Sequence, residues 1–356
     1  MKILFSEHEA YYRELGLKNF PDVSYVFNGS RFYNNNKCFF ECFDLFVCAF
    51  YTMPHNVLLT MKFKQINKPS VIISDGIFDF SNALDNPMVK KYDVTMYHPI
   101  LQDYLICVGS KEAAYFSNNV NSFHYLPTRV LSKTNMIPLP TQAKLLITTA
   151  NTAYFNQDEF DALVILINGV VEVLTVSNVD FSLRIYDEEL LKSISQNFSR
   201  VLVNDIGTNF ERCLESYSGV ITTPSSIAVT SMYHKRAVAL LIYRDKPMLL
   251  QSGWLISTKE IFQQSLASFV NLEQKRLVIQ HDILKTYLTD EGMTDLLLKL
   301  ASEPYDANDF KSSYINISYF NMLNSKFNFN FEWLIRKVYL RFKNSQLMKI
   351  IKLRIK

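Results

Sequence analysis

The sequence has few of the residues that mark several common classes of enzyme. Only 9 of its 356 residues are glycine, and it contains neither the G-x-G-x-x-G pattern of dinucleotide-binding domains nor a Walker loop. The H-E-x-x-H zinc motif, the G-x-S-x-G nucleophile elbow and the D-x-D clamp for a metal–diphosphate are also missing. A dehydrogenase, a P-loop enzyme and a classical hydrolase are therefore disfavoured, and the sequence implies no metal and no cofactor.

Disulfide and membrane-spanning signals are also weak. The chain has five cysteines, an odd number, and no C-x-x-C pair, so neither a disulfide framework nor a zinc site is indicated. The first residues lack the apolar length of a signal peptide. The longest apolar stretch, around residues 160–176, is interrupted by Asp161 and Glu172 and is too short to span a bilayer. We therefore expect a cytoplasmic protein that is not integral to a membrane.

Positive charge is concentrated at the carboxyl end. Residues 333–356 contain eight Lys or Arg and no acidic residue, and because the whole chain carries a formal charge of +3, the rest carries −5. As a helix, this tail would place apolar and cationic side chains on different faces, which predicts peripheral docking on an anionic membrane surface. The alternative is a helix packed against the first domain. The body lacks a basic stripe, so a nucleic-acid partner is disfavoured.

Short apolar runs alternate with helical patterns along two parts of the chain, which predicts an α/β fold with parallel sheets. A segment with two prolines separates these parts and indicates a linker. The predicted strands include Val201–Val203 as well as clearer runs such as Lys144–Thr148. We predict four segments: a first Rossmann-like domain at 1–130, a linker at 131–143, a second Rossmann-like domain with helices at 144–330, and a basic amphipathic tail at 331–356.

Ser74, Asp75 and Gly76 follow an apolar strand in the first predicted domain. Ligands of parallel sheets bind outside the carboxyl ends of the strands, so Asp75 is a candidate catalytic carboxylate. Gly76 permits a tight turn and the close approach of a substrate. The alternative is an ordinary Asp-Gly turn.

A second strand end is rich in hydroxyl groups: residues 219–232 read GVITTPSSIAVTSM. Ser225 or Ser226 would begin a helix, whose free N–H groups and positive dipole end favour phosphate, with Thr223 nearby. The alternative is simple helix capping.

Other polar residues follow predicted strands or turns. Arg184 ends a strand and is a candidate phosphate or carboxylate ligand, or else a surface partner of Asp187. His98, before Pro99, is a candidate acid or phosphate ligand, or a solvated histidine. Thr149 and Asn151 are candidate cleft residues or helix caps. For Arg244 we predict a surface ion pair with Asp245.

The arrangement resembles bacterial GT-B glycosyltransferases that use CMP-activated ulosonic acids, namely sialyltransferases and capsule-type Kdo transferases. Ser74-Asp75-Gly76 takes the place of an acidic-acidic-Gly or Glu-Asp-Gly motif, and Ser225-Ser226 that of a Ser-Ser or Ser-Thr turn. Tyr125-Leu126-Pro127 also resembles some sialyltransferases. The first acidic position is Ser74 here, and the His-Pro motif of the second domain is replaced by Leu183-Arg184-Ile185.

The resemblance implies a GT-B-like fold with two facing Rossmann-like domains and a helical C-terminal tail. It also implies transfer of a sugar, such as sialic acid or Kdo, from a nucleotide donor to a glycan of a capsule, O-antigen or lipooligosaccharide at the inner face of the cytoplasmic membrane. Asp75 would act as general base or nucleophile, and Ser225 and Ser226 would hold the donor phosphate. Two alternatives remain: a nucleotide-sugar epimerase of the UDP-N-acetylglucosamine 2-epimerase type, and a non-catalytic scaffold of a polysaccharide assembly complex.

Overall fold

The computed structural model describes three long stretches of the chain and a few positions near its carboxyl end. The stretches are residues 1–132, 135–199 and 201–305. The further positions are helical and exposed: Leu334, Ile335, Val338, Arg341 and Phe342. The rest of the predicted tail lies outside the described residues.

The first part of the chain forms a six-stranded, wholly parallel sheet in the order β2-β1-β3-β4-β5-β6. Its strands are β1 (Lys2–Phe5), β2 (Ser24–Val26), β3 (Leu45–Cys48), β4 (Ser70–Ile73), β5 (Tyr104–Val108) and β6 (Asn121–Tyr125). The connecting helices are α1 (Glu9–Leu15), α2 (Lys37–Glu41), α3 (Pro54–Gln65), α4 (Phe80–Asp85), α5 (Pro87–Tyr92) and α6 (Ser110–Phe116), with a 3₁₀ turn at Gly29–Phe32. Every residue of β3 and β4 is buried, as expected when helices cover both faces of a parallel sheet.

The second part forms a five-stranded parallel sheet in the order β11-β10-β9-β7-β8. Its strands are β7 (Lys144–Thr148), β8 (Asp180–Arg184), β9 (Gly219–Thr222), β10 (Ala237–Leu241) and β11 (Trp254–Ile256). The helices are α7 (Gln157–Val176), α8 (Glu188–Ser195), α9 (Phe210–Cys213), α10 (Ser226–Tyr233), α11 (Lys259–Val270), α12 (Gln274–Lys285) and α13 (Met293–Ser302), with a 3₁₀ turn at Leu214–Ser216. The predicted α/β fold with two parallel sheets is confirmed.

The two sheets share a hydrophobic core. Strands β1, β3, β4 and β5 contribute Phe5, Val47, Ile73 and Val108 to a cluster that also contains residues of α10, β10 and α13. The backbone N–H of Lys18, next to α1, donates to Thr294 Oγ1 on α13 at 2.9 Å. Helix α13 therefore packs on the first sheet, although the sequence assigns it to the second domain. The domain boundaries themselves remain a proposal.

Arg236 fixes the predicted linker to the second sheet. It is fully buried, and its guanidinium donates to five backbone carbonyl groups at distances of 2.6 to 3.0 Å. Two of these carbonyls belong to Ile137 and Pro138 in the linker. Burial lowers the pKa of Arg236 to about 10, so the side chain is still charged at neutral pH. The carbonyl dipoles replace the hydration that the cation loses on burial.

The prediction of a strand at Val201–Val203 is wrong. This segment pairs with β8 only through an isolated bridge between Leu183 and Asn204. The side chain of Val201 is 92% exposed and that of Val203 is 62% exposed, so neither is buried as a sheet strand would require. The apolar composition of the segment therefore does not reflect a core position. In contrast, the sequence does not predict β11, the edge strand of the second sheet.

Candidate active site

The order of strands in the second sheet marks the sheet end at which a ligand is expected to bind. Strands β8 and β9 lie on opposite sides of β7, so the chain connections diverge between β7 and β9. In open parallel sheets, ligands bind outside the carboxyl ends of the strands at such a point. Thr149 follows β7, and Thr223 and Ser225 follow β9. The Thr223 hydroxyl accepts a hydrogen bond from the backbone N–H of Ala150 at 2.7 Å, which joins the two strand ends.

Helix α10 begins at this point. Ser225 is its N-cap in extended conformation, and its side chain makes no capping hydrogen bond. The Ser225 hydroxyl oxygen is buried and has no hydrogen-bond partner among the described residues. Buried polar groups in proteins are generally paired, so an unpaired hydroxyl beside the free N–H groups of a helix is a candidate donor to a bound acceptor. The helix dipole favours an anion there.

The other predicted residues of the second domain are placed differently. Arg184 is buried, and its guanidinium donates to the backbone carbonyls of Asp205 at 2.6 Å and Thr208 at 2.7 Å. It orders the loop that leads into α9, rather than pairing with Asp187. Thr149 is buried and Asn151 is exposed. A role of these residues in donor binding stays a prediction.

Asp75 lies at the carboxyl end of β4, where the sequence predicted it, and forms an ion pair that the sequence did not indicate. Nη2 of Arg129 lies 2.9 Å from Asp75 Oδ2 and also donates to the Asp75 carbonyl oxygen. Arg129 follows β6, and its backbone N–H donates to the Glu14 carbonyl at the end of α1 at 3.1 Å. Gly76 leaves the pair accessible, because a Cβ there would meet only the end of Arg129, at 3.9 Å.

Three tyrosines surround the Asp75 carboxylate on the side away from solvent. Burial, with the Asp75 charge as the next cause, raises the pKa of Tyr11, Tyr97 and Tyr125 above the usual range. The Tyr125 hydroxyl donates to the Ser74 carbonyl at 2.9 Å. The Tyr11 hydroxyl is buried beside Asp75, and both the charge of that carboxylate and a hydrogen bond to it help to raise the pKa of Tyr11. Neutral hydroxyl groups therefore line the carboxylate.

The loop that carries Asp75 is held from beneath by Glu112 in the first turn of α6. Glu112 is fully buried and accepts hydrogen bonds from the backbone N–H groups of Phe78 at 2.7 Å and Val108 at 3.3 Å. Burial raises the pKa of Glu112 to about 8. His98 lies behind this loop, where its Nε2 is 3.1 Å from the Tyr115 hydroxyl oxygen. These contacts support the position of the loop, and a direct role for His98 stays a prediction.

A pocket of about 240 Å³ lies between the segment 128–132, which carries Arg129, and the first turns of α9 and α10. Residues of both halves of the chain line it, among them Arg129, Ser132, Glu211, Ser226 and Thr230. Within this lining Arg129 is the basic side chain. Glu211 is the acidic one, and it accepts from the Ser132 hydroxyl at 2.8 Å. The pocket thus connects Arg129, the partner of the predicted catalytic carboxylate, with Ser226, the first residue of the helix after the predicted phosphate-binding turn.

Arg244 also joins the two halves, and the prediction that it pairs with Asp245 is wrong. Its Nη1 lies 2.8 Å from Asp79 Oδ2, in the loop after β4, and its Nε lies 3.3 Å from Glu159 Oε2. Only 7% of the Arg244 side chain is exposed. Asp245 pairs with Lys246 instead, at 2.5 Å. The Arg244 contacts hold the Asp75 loop against the second sheet.

Arg129 and Glu112 are the site residues that the sequence did not reveal. Arg129 is the last basic residue before the predicted linker, but its side chain meets Asp75 only because β4 and β6 flank β5. Glu112 occupies the first turn of a helix, a common place for an exposed acid. No local pattern marks it as buried. Among the described residues, no group of three or more His, Cys, Asp or Glu could hold a metal ion.

Comparison with known proteins supports the fold. No protein-family model and no curated protein matches the sequence. The structure is similar to S. aureus MnaA solved with UDP, with a TM-score of 0.51, 12% identity, and coverage of 86% of this chain and 98% of that one. CalG4, the calicheamicin glycosyltransferase, has a TM-score of 0.45 at 12% identity, with coverages of 84% and 97%. The Methanocaldococcus jannaschii UDP-GlcNAc 2-epimerase, with UDP-GlcNAc and UDP, also has 0.45, at 14% identity, with coverages of 76% and 93%.

These comparisons define a class of architecture. The chain has a GT-B-like α/β fold with two Rossmann-like domains, and MnaA shares this architecture. At identities of 12 to 14% the similarity concerns the fold alone. Function must therefore be argued from the pocket.

Proposed function

We propose that the protein is a glycosyltransferase that uses a nucleotide-sugar donor. The observation that carries the proposal is the pocket between the two sheets. On one side it is lined by Arg129, which pairs with the carboxylate at the end of β4. On the other side it is lined by Ser226 at the start of α10, next to Ser225, whose hydroxyl has no partner among the described residues. A diphosphate or phosphate at α10 would place the attached sugar toward the first sheet. Asp75 could then deprotonate an acceptor hydroxyl, or attack the anomeric carbon.

The residues predicted to bind the donor phosphate have defined parts in this proposal. The hydroxyl groups of Ser225 and Ser226 donate hydrogen bonds to the donor phosphate, and the first N–H groups of α10 do the same. Thr223 supports the turn through its bond to Ala150. Arg184 acts through the loop at residues 205–208 that it orders. The acceptor glycan binds on the first domain.

For the donor, a CMP-activated ulosonic acid such as sialic acid or Kdo is our first candidate, on the resemblance of Ser74-Asp75-Gly76 and Ser225-Ser226. UDP-sugars are the second, because the MnaA structure that shares the fold contains UDP. We propose a bacterial surface polysaccharide as the acceptor, and transfer that needs no metal ion. Turnover that persists in excess EDTA would support the last point, and loss of turnover that Mg²⁺ restores would contradict it.

We also propose that the tail at residues 333–356 docks the enzyme on the anionic inner face of the cytoplasmic membrane. Four apolar side chains described there are about half exposed: Leu334, Ile335, Val338 and Phe342. Their spacing places them along one side of a helix. Arg341 adjoins them, and an apolar stripe beside cationic residues is typical of an interfacial helix. Among the described residues, no helix is long and apolar enough to cross a bilayer.

The central experiment combines binding and turnover. A thermal-shift panel of CMP, CDP, UDP and GDP identifies the nucleotide, and the corresponding sugar donors are then incubated with and without a glycan acceptor. We expect stabilisation by one nucleotide and transfer only with acceptor present. Asp75→Asn should reduce transfer by several orders of magnitude with fold and nucleotide binding retained. Asp22→Asn, an exposed aspartate in the turn before β2, is the matched control.

Each alternative has its own outcome in this experiment. Conversion of the donor sugar to its epimer without acceptor would identify a nucleotide-sugar epimerase. Absence of nucleotide binding throughout the panel would favour a non-catalytic scaffold. Near-normal transfer by Asp75→Asn would refute the assignment of the catalytic carboxylate and leave the class of enzyme intact.

A further inference from the structure

Arg129 lies where the two halves of the proposed site meet. Its backbone is fixed, because its N–H donates to the Glu14 carbonyl at 3.1 Å and the neighbouring Thr128 hydroxyl donates to the same oxygen at 2.9 Å. Its guanidinium pairs with Asp75 at 2.9 Å, and the side chain lines the pocket that contains Ser226. One guanidinium is thus within reach of two groups, the carboxylate and any anion at the start of α10.

The Asp75–Arg129 pair is weak enough to be exchanged. The Arg129 side chain is 37% exposed and that of Asp75 is 42% exposed. Ion pairs at such exposure change an equilibrium constant by only about two- to fivefold, because water screens them and ordering two side chains opposes them. A guanidinium bound to a phosphate through charge-assisted hydrogen bonds contributes more, about tenfold to a hundredfold. A phosphate in the pocket would therefore compete successfully for Arg129.

The charges of the pocket also favour the binding of a phosphate by Arg129. Among its described lining residues, Arg129 is the basic one. Glu211, the acidic one, is held by the Ser132 hydroxyl and backbone N–H. An anion at Ser226 would be close to this carboxylate, so it needs a cation from the lining, and Arg129 can supply it without movement of the backbone.

We infer that Arg129 is a positioning residue that couples donor binding to the release of Asp75. Without donor, Arg129 is paired with the Asp75 carboxylate, which the reaction requires. When the donor phosphate enters the pocket, the guanidinium turns to it and leaves Asp75 free to act on the acceptor. The order of events follows: donor binds first, and Asp75 becomes available second. This inference rests on the proposed function, because it needs a phosphate-bearing donor at α10.

A double-mutant cycle on nucleotide affinity tests the coupling. Calorimetry with CMP, CDP, UDP and GDP is performed on the wild type, Asp75→Asn, Arg129→Met and the double variant, at one pH and one salt concentration. We expect Arg129→Met to weaken binding about tenfold to a hundredfold. Asp75→Asn should tighten binding about two- to fivefold, because it frees Arg129 from its competing partner. In the Arg129→Met background, Asp75→Asn should have almost no effect.

Controls separate this coupling from general electrostatics. Lys246→Met removes the same charge from another cation between the two halves, which pairs with Asp245 at 2.5 Å and Asp85 at 3.8 Å. We expect it to change nucleotide affinity less than twofold and to show no coupling with Asp75→Asn. Circular dichroism and thermal melts check folding. If Arg129→Met does not fold, Arg129→Lys replaces it, and the single ammonium should reduce the coupling.

The outcomes distinguish this inference from the proposed function. Tightening by Asp75→Asn that requires Arg129 supports the coupling. Equal tightening in both backgrounds would mean direct repulsion between Asp75 and phosphate, which overturns the role of Arg129 but not the donor site. No change in nucleotide affinity on removal of Arg129 would have the same consequence. If none of the four nucleotides binds the wild type, the donor site and the coupling fail together.

Discussion

Replacing Glu112 with glutamine should change how the stability of the protein depends on pH. Glu112 lies in the first turn of α6, with no exposed surface, beneath the loop that carries Asp75. Burial raises the pKa of Glu112 from 4.5 to about 8. The carboxyl group is therefore mostly protonated at neutral pH in the folded protein and ionised in the unfolded chain. Glutamine has nearly the same shape and can still accept from the Phe78 N–H.

The sign of the effect follows from proton counting. Between pH 4.5 and about 8 the folded protein binds more protons at Glu112 than the unfolded chain does, so its free energy of unfolding falls as pH rises. The contribution is fully present below pH 4.5 and lost as pH passes through about 8. Each pH unit in this interval contributes at most about 1.4 kcal/mol, so the whole interval is limited to roughly 5 kcal/mol. Relaxation of the ionised state should leave about half of that.

Urea unfolding followed by circular dichroism at pH 5, 6, 7, 8 and 9 measures the effect. We expect the wild type to lose about 2–3 kcal/mol of stability between pH 5 and 9 relative to Glu112→Gln. The variant should be the more stable protein at pH 9. Glu188→Gln is the matched control, because Glu188 also lies in the first turn of its helix, α8, but is exposed. Parallel curves for wild type and Glu112→Gln, offset but equal in slope, would show that Glu112 does not hold its proton.

Three further predictions concern the donor site, the linker and the tail. Ser225→Ala with Ser226→Ala should weaken nucleotide binding by about 1.5–3 kcal/mol for each lost bond to phosphate, and an unchanged calorimetric dissociation constant would reduce both serines to helix caps. Arg236→Met should destabilise the protein by about 3–5 kcal/mol, because five buried carbonyls lose their donor; a urea midpoint close to that of wild type would contradict this. A chain ending at Glu332 should lose binding to anionic vesicles, since each Lys or Arg near the surface contributes about 1 kcal/mol. Equal co-sedimentation of the full and shortened chains, or binding by the full chain that high salt does not reduce, would refute docking by residues 333–356.

The sequence by itself determined the fold class and the approximate positions of most strands in the sheets. Strand β7, for example, has the predicted bounds Lys144–Thr148, around the apolar run at 145–147. A strand covered on both faces must be apolar throughout, and a few neighbouring residues of the sequence are enough to recognise it. For the same reason the local pattern is enough to put Asp75 and Ser225 at strand ends. Val201–Val203 shows the limit, because its apolar residues are exposed and do not form a strand.

The partners of the charged residues were decided by the tertiary structure. Arg129 meets Asp75, and Arg244 meets Asp79, across long separations in the chain. Arg184 is occupied by backbone carbonyls, whereas the Ser225 hydroxyl is left unpaired among the described residues. Hydrophobic periodicity depends on the residues within one helix or strand. A hydrogen bond or ion pair depends on angstrom-scale distances between elements. Strand order and the packing of one sheet against the other set those distances, and no local pattern records them.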